Sequence, residues 1–398
     1  MIHEYTEQTE AWIAAHAGDD VKALWLKYGR EREFEITQIE CRRRFGKKLA
    51  ATLTRCPHWL FPSVLSGEQS TSDRLATFHA GLVPECSRVA DLTAGLGIDV
   101  LHFSSVASEI VALEMDRERC DVLRDNLRRA NVDNVSVECA DCREWLKTYN
   151  GPKLDLVFID PARRASDGSR VFALSDCEPD VVAMLPDLRR VAHRLIIKMS
   201  PMLDISAILS TLPECIKLYV LGTATECKEL VAVIDFEHPA PSACDVAIEA
   251  VTVADGGTHS FLCTRAEEMV ADAVYGRPRS GDWLCEPWPS VMKAGAVRLV
   301  AERYGLQKLA PNTHVYFAPE KVAGFPGTQR RVVDVLPYAS RVIKRFSRTY
   351  RNIDVAVRNF GMTADALRSK LGVHDSGARG RLMAVTDAGN EKLLIVLE

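Results

Sequence analysis

The chain has no uncharged apolar run of about 18 residues, the length a membrane-crossing helix needs. Its first 30 residues carry charges throughout, without the apolar stretch of a signal peptide. Both absences point to a cytoplasmic protein with no membrane partner. Net charge is equally slight, at -4 for 398 residues, so overall electrostatics predict no nucleic-acid binding and any basic surface must be local. No repeat or low-complexity segment interrupts the chain. The 12 cysteines are scattered, too thinly for a secreted disulfide scaffold. Cys139 and Cys142 form a C-x-x-C, but no second ligand pair at comparable spacing completes a zinc site, and no metal is expected.

Apolar residues make up 47% of the chain, enough for real cores, and the length suggests two or three domains. From Glu4 to about Arg55, Trp12, Ile13, Leu24, Trp25, Leu26, Ile36, Ile39, Phe45, Leu49 and Leu53 recur near period 3.6, which predicts a helical N-terminal unit. It includes the basic run CRRRFGKK at 41–48, compatible with nucleic-acid contact or with a solvated helix face. Pro57 and Pro62 then end the helical pattern. After a helix near 70–82, the strands SRVADLT, EIVALEMD, NVSVECAD, LDLVFIDP and HRLIIKMSP alternate with helices near 98–107, 117–130, 142–148 and 179–191. That rhythm predicts an α/β, Rossmann-like parallel sheet covered on both faces. Residues 216–236 break it with two strands flanking a short polar connection, an antiparallel terminal hairpin. Beyond 238–243 the pattern is α+β. Strands are expected near 245–254, 259–263, 313–318, 331–336 and 353–360, with helices near 290–304 and 338–346. A further helix at 363–372 is capped by Thr363 and Gly372, and a final hairpin turns at DAGN, 387–390.

In such a sheet, ligands bind beyond the carboxyl ends of the strands. Asp91 and Asp160 sit at two of those ends, the first followed by LTAGLG and the second by Pro161. Two glycines, Gly95 and Gly97, let the backbone turn and approach a ligand closely. The dinucleotide fingerprint fails, because Val100 stands where its third glycine belongs. Glu114, 19 residues after Gly95, is placed to accept ribose hydroxyls, and Asp141 to accept an adenine amino hydrogen. Together the three strand ends make one adenosine pocket.

DLTAGLGID, ALEMD, ADC and FIDPARR, in this order on successive strands, resemble the motifs of class I S-adenosylmethionine-dependent methyltransferases. The antiparallel terminal hairpin is that fold's signature. DLTAGLGID with HRLIIKMSP is similar to a bacterial small-subunit rRNA guanine-N2 methyltransferase. EQSTSDRLATFHA and the run from EPWPSVMKAG to VAVRNFGMTADALRSKLGV resemble methyltransferases that carry C-terminal ferredoxin-like and THUMP-like domains, modules associated with RNA modification. The resemblance implies S-adenosyl-L-methionine as cofactor. It assigns Asp91, Thr93, Ala94, Gly95 and Gly97 to the methionine part, Glu114 to the ribose, and Asp141 and Cys142 to the adenine, with Gln69 to Thr71 closing the pocket. It implies domains at 1–66 (helical), 67–238 (methyltransferase), 239–340 (ferredoxin-like) and 341–398 (THUMP-like).

DPAR at 160–163 stands where amino-directed methyltransferases carry D/N-P-P-aromatic, with Ala162 and Arg163 departing from it. Asp160 and the Pro161 carbonyl would each accept one hydrogen of an exocyclic amine and aim its lone pair at the sulfonium methyl. Arg163 is suited to stack on the base or to pin a phosphate, and Lys198 to line the same cleft. Residues 330–398 hold 13 Lys and Arg against 7 Asp and Glu. RVIKRFSRTYR at 341–351 interleaves cations with Phe346 and Tyr350, a mixture that suits RNA and equally a helix with core aromatics and solvated charges. The expected activity is methylation of a base nitrogen of tRNA or rRNA. The rivals are a protein side-chain amide methyltransferase, a non-catalytic RNA-binding module with a vestigial pocket, and a nicotinamide dehydrogenase whose hydride-transfer residues are not found.

Overall fold

Thr6 and Asp20 each accept a backbone N–H three residues on and so start the first two helices, α1 (Glu7–His16) and α2 (Val21–Tyr28). The computed structural model describes residues 5–163, 173–254, 257–375, 377 and 380–398. They form two units, one of 1–216 with 231–241 and one of 217–230 with 242–398. In the first, α3 (Glu33–Phe45) packs Ile36 and Ile39 against Ile13 and Leu24. Phe45 and Leu49 belong to a separate core with Trp59, Phe61, Leu96, Ile98 and Leu101, which joins the helical region to the sheet. Leu26 departs from the expected apolar stripe and is 89% exposed. Following α4 (Ala50–Arg55), the proline-bracketed segment is tied down by side chains: Gln38 bonds the N–H and C=O of Phe61, and Asn126 those of Leu60.

CRRRFGKK is largely consumed within this unit. Arg42 bonds Tyr5 and pairs with Glu10, Arg43 donates to the Ala17 carbonyl, Arg44 pairs with Glu68, and Lys48 donates to the carbonyls of Gly67 and Glu68. Two more helices, α5 (Val64–Gln69) and α6 (Asp73–Ala80), lead into the sheet.

Strands β1 (Arg88–Asp91), β2 (Glu109–Glu114), β3 (Val135–Cys139) and β4 (Leu154–Ile159) are followed by a two-residue ladder of β5 (Ala162–Arg163) and β6 (Cys177–Glu178). Then come β7 (Ala192–Met199), β8 (Cys215–Thr223) and β9 (Cys227–Asp235). The order is β8-β9-β7-β4-β1-β2-β3. β1 pairs parallel with both β2 and β4, β2 with β3, and β4 with β7. β8 and β9 close as the expected hairpin, the Thr223 N–H donating to the Glu226 carbonyl at 2.8 Å, and the boundary between the units runs through it. Crossover helices α7 (Ile98–Phe103), α8 (Arg117–Arg129), α9 (Cys142–Thr148) and α10 (Val181–Val191) lie where the periodicity predicts. α11 (Ile205–Thr211), capped by Asp204, is an element the sequence pattern did not suggest. Because β2 and β3 lie on one side of β1 while β4 and β7 lie on the other, the strand order switches between β1 and β4. A crevice at their carboxyl ends is the consequence.

The second unit contains β10 (Ala247–Ala254), which pairs parallel with β8, and β11 (Gly257–Cys263). After α12 (Arg265–Val270) come β12 (Val274–Tyr275), β13 (Trp283–Pro287), α13 (Pro289–Ala294), α14 (Leu299–Arg303), β14 (Gln307–Ala310), β15 (Thr313–Ala318) and β16 (Gly327–Pro337). The chain ends with α15 (Ser340–Thr349), β17 (Ile353–Arg358), α16 (Ala364–Leu371), β18 (Gly380–Thr386) and β19 (Lys392–Leu397). Their sheet runs β12-β14-β15-β13-β16-β19-β18-β17. The single helix expected at 290–304 is two, since Gly295 at φ 83° takes the left-handed conformation that ends α13. Thr363 and Gly372 cap α16 as expected. α15 packs Phe346 at 3% exposure into a core with Ile353, Phe360, Leu367, Leu382 and Leu394, and Tyr350 lies against that core. The aromatics interleaved with its cations are therefore structural, which selects the second of the two readings left open by the run, a helix with core aromatics beneath its charges.

Candidate active site

Asp91 ends β1 buried, and its Oδ1 accepts the Thr93 N–H at 2.9 Å. Burial pushes this carboxyl well above the usual carboxylate range. The Thr93 amide and Lys198 oppose the rise, while Asp99 and Asp160 add to it. Thr93 in turn accepts the Asp160 N–H on Oγ1 at 2.7 Å, so one threonine ties the ends of β1 and β4 together. The Ala94 N–H reaches the Leu113 carbonyl of β2 at 2.8 Å. Gly97, at φ 82°, starts α7, and a Cβ there would lie 2.1 Å from Leu123. Gly95, at φ 53°, has only the Thr93 carbonyl oxygen within 4 Å of a Cβ position, so the loop opens to space there. That open cradle, flanked by carboxylates, fits a cationic ligand carrying an adenosine.

At the next strand end, Glu114 is buried and accepts the Asp116 N–H at 2.8 Å, while Arg119 approaches its Oε1 at 3.2 Å. Asp141 caps α9 and is forked by Arg143, with Nη2 to Oδ2 at 2.6 Å. The Arg143 hydrogen bond, against a smaller effect of burial, holds this carboxyl below its ordinary value. Arg143 also bridges to Glu178 at 2.7 Å, and Glu178 lies opposite Ala162 in the β5–β6 ladder. The turn after Asp160 is thus tied back to the strand end expected to hold adenine. Cys142 is buried in the first turn of α9, and burial raises its thiol to about 11, so it is present as the neutral thiol.

Pro161 is buried after Asp160, and Arg163 contributes backbone to β5. The Arg163 side chain, and Arg164 altogether, lie outside the described residues. The Asp160 side chain is 37% exposed, and its Oδ2 meets Lys198 Nζ at 2.5 Å. Lys198, reaching in from β7, also donates to Thr71 Oγ1 at 3.1 Å. Of the segment 69–71 expected to close the pocket, Thr71 joins this arrangement, whereas Gln69 is exposed on α5.

Two residues not foreseen complete it. Asp99 in α7 accepts the Thr71 hydroxyl on Oδ2 at 2.5 Å and lies 2.8 Å from His79 Nδ1 in α6. Burial disfavours an ionised Asp99, but His79, Lys198 and the Thr71 hydroxyl outweigh it and hold its carboxyl at about 2. The signal for Asp99 was present, as a single acid among apolar helix residues, between Ile98 and Val100–Leu101. His79 carried none. Among the described residues, no group of three or more His, Cys, Asp or Glu side chains is arranged to hold a metal ion.

A family model for a ferredoxin-like domain matches residues 283–326, and one described as THUMP domain-like matches 327–398. Two relatives from Mycobacterium tuberculosis, strains CDC 1551 / Oshkosh and H37Rv, are each named an uncharacterized S-adenosylmethionine-dependent methyltransferase. Each is 24% identical over 379 residues, covering 91% of this chain and 95% of the relative. A crystal structure of a candidate methyltransferase from Porphyromonas gingivalis W83 superposes with a TM-score of 0.88 at 28% identity, covering 98% of this chain and 97% of that one. The strand order and the whole-length match agree with the class I methyltransferase architecture expected for the first unit.

Proposed function

We infer that this chain, an S-adenosylmethionine-dependent methyltransferase with ferredoxin-like and THUMP-like regions at its C-terminus, methylates a base nitrogen of tRNA or rRNA, an exocyclic amine such as guanine N2. The observation that carries the chemistry is the Asp160 carboxylate, partly exposed beside Pro161 at the end of β4, its Oδ2 held by Lys198 and its backbone N–H held by Thr93 next to the glycine loop. When bound, S-adenosylmethionine supplies a methyl group on a sulfonium. Asp91, Thr93, Ala94, Gly95 and Gly97 would hold its methionine part, Glu114 its ribose, and Asp141 with Cys142 its adenine.

Asp160 and the Pro161 carbonyl then orient the acceptor. A ring-conjugated amine is a weak nucleophile because its lone pair is delocalised. Accepting one hydrogen each, the two oxygens tilt the nitrogen toward tetrahedral geometry and aim the lone pair at the methyl carbon. Bound there, the sulfonium would supply the methyl group to that lone pair, and the chain's own part is to hold the acceptor nitrogen in line through Asp160 and the Pro161 carbonyl. Positioning and fixed charge provide the acceleration.

RNA as the substrate is supported by the cations of α15 and by Arg351, two residues past its end. Arg341, Lys344, Arg345, Arg348 and Arg351 are all exposed, and none has an ion pair among the described residues. The THUMP domain-like match covers the same stretch. Nucleoside mass spectrometry of size-fractionated RNA from a strain lacking the gene tests the reading. One N-methylated nucleoside should disappear from tRNA or rRNA and return on complementation. An unchanged set of methylated nucleosides overturns it, and ribonuclease-insensitive methyl incorporation into protein would replace it with side-chain amide methylation.

A further inference from the structure

Four buried polar side chains meet behind the Asp160 carboxylate, each from a different part of the first unit. His79 comes from α6, Asp99 from α7, Thr71 from the segment between α5 and α6, and Lys198 from β7. His79 Nδ1 lies 2.8 Å from Asp99 Oδ1, and Thr71 Oγ1 lies 2.5 Å from Asp99 Oδ2. Lys198 Nζ stands 3.1 Å from Thr71 Oγ1 and 2.5 Å from Asp160 Oδ2. An ammonium only donates and an ionised carboxylate only accepts. The Thr71 hydroxyl proton therefore points to Asp99, its oxygen accepts from Lys198, and the remaining Asp99 oxygen accepts the His79 N–H. Every hydrogen in the chain has one direction. The His79 ring is held in turn against Phe158 of β4, with centroids 5.5 Å apart.

We propose that His79, Asp99, Thr71 and Lys198 form one positioning chain that holds the Asp160 carboxylate in place and keeps it ionised for the methyl acceptor. The proposal rests on the reading of Asp160 as the group that accepts the amine hydrogens. A network of this kind is a poor way to gain stability, since desolvating several charges offsets what their pairing returns, and apolar residues of similar volume would serve a core as well. Its placement argues for function. Of the five side chains Asp160 is by far the most exposed, at 37% against 11% for Lys198 and Asp99, and it lies at the switch point of the sheet beside the glycine loop.

Among the described residues, the charged groups beside Asp160 include Lys198 from β7, whose Nζ meets its Oδ2, and the Asp91 carboxyl at the end of β1. A carboxylate at Asp91 opposes ionisation of Asp160, and the Lys198 ammonium at 2.5 Å favours it. Removal of the ammonium therefore makes Asp160 harder to ionise. Thr71 and Asp99 act at one remove, by fixing where the ammonium sits.

The test uses full-length protein, labelled S-adenosylmethionine and undermethylated total RNA from a strain lacking the gene. Turnover is measured against pH, with cofactor binding by calorimetry and melting temperature alongside. Asp160→Ala should lower kcat by about 10²-fold or more while leaving the cofactor Kd nearly unchanged. Lys198→Met should lower kcat at neutral pH and move the acid limb of the kcat profile up by about one pH unit or more. Lys198→Arg should recover part of both. Thr71→Val, close in shape and neutral, should move the limb the same way by less, and it decides the matter if Lys198→Met does not fold. If Asp160→Ala is inactive while folded Lys198→Met or Thr71→Val keeps the wild-type kcat and pH profile, the chain is only a structural staple and the inference is overturned. Full activity in Asp160→Ala overturns the proposed function, and the inference with it, as does absence of wild-type transfer to that RNA.

Discussion

Two basic runs, CRRRFGKK at 41–48 and RVIKRFSRTYR at 341–351, look alike as sequence: clustered cations around a phenylalanine on a helix. Their environments differ. In the first, Arg42, Arg43, Arg44 and Lys48 are spent on Glu10, the Ala17 carbonyl, Glu68 and the carbonyls of 67–68. In the second, five cations stand exposed without an ion pair among the described residues. Both phenylalanines are buried, Phe45 beside Phe61 and Phe346 beside Tyr350. A charge run becomes an interaction surface only where the fold leaves its charges unsatisfied, and local spacing does not record that. Whether the partners for a guanidinium lie 20 or 30 residues away is decided by tertiary structure.

The comparison is broken most directly by removing the exposed charges. Replacing Arg341, Lys344, Arg345 and Arg348 with Gln should weaken binding to tRNA or rRNA at about 0.1 M salt by on the order of 10²-fold. The slope of log K against log salt should become shallower by about 0.7 to 0.9 per cation lost. Filter binding across a salt series checks both. An unchanged slope would make α15 a merely solvated face, like many other charged helices.

Applied to the first run, the same treatment should behave oppositely. Arg42→Gln with Arg44→Gln removes ion pairs to Glu10 and Glu68. The side chains are partly exposed, so the expected loss is roughly 1 kcal/mol of unfolding free energy or less per pair, read from denaturant midpoints. The salt slope of RNA binding should not move. If it falls as steeply as in the α15 variant, CRRRFGKK touches RNA as well, and the distinction drawn from pairing is wrong.

The same contrast between local pattern and tertiary convergence explains what the sequence disclosed. The sheet was legible because β4 and β7 each carry an apolar stretch, LVFI and LII, of the kind that strands covered on both faces need, and because helices separate the strands in a regular rhythm. Asp91, Glu114, Asp141 and Asp160 stood out because each lies at or just past the carboxyl end of a strand, and the topology assigns those ends to the ligand crevice. β13 and β14 were missed. They are five and four residues long, and β14 carries Lys308, whose buried ammonium is satisfied by the Ala310 and Pro311 carbonyls rather than by anything in its own pattern. His79 was missed for a related reason. It shares no motif with Asp99 or Lys198 and meets them only once α6, α7 and β7 are packed.

The smallest expected effect sharpens the comparison furthest, because it separates two uses of one aromatic ring. If Phe346 stacked on an unpaired base, removing the ring would cost about 1–3 kcal/mol of RNA binding, or five- to more than a hundredfold in affinity. Its 3% exposure and its packing with Ile353, Phe360 and Leu394 instead make it part of the core beneath the cations. Phe346→Leu keeps an apolar side chain there and leaves every cation of α15 in place. The expected outcome is a loss of roughly 1–1.5 kcal/mol in stability, as for a shape-changing core substitution, with RNA affinity and salt slope within about twofold of wild type when measured well below the melting temperature. A large affinity loss in a protein that remains folded would return the ring to the RNA surface, and the exposed cations would then be only part of how that face binds.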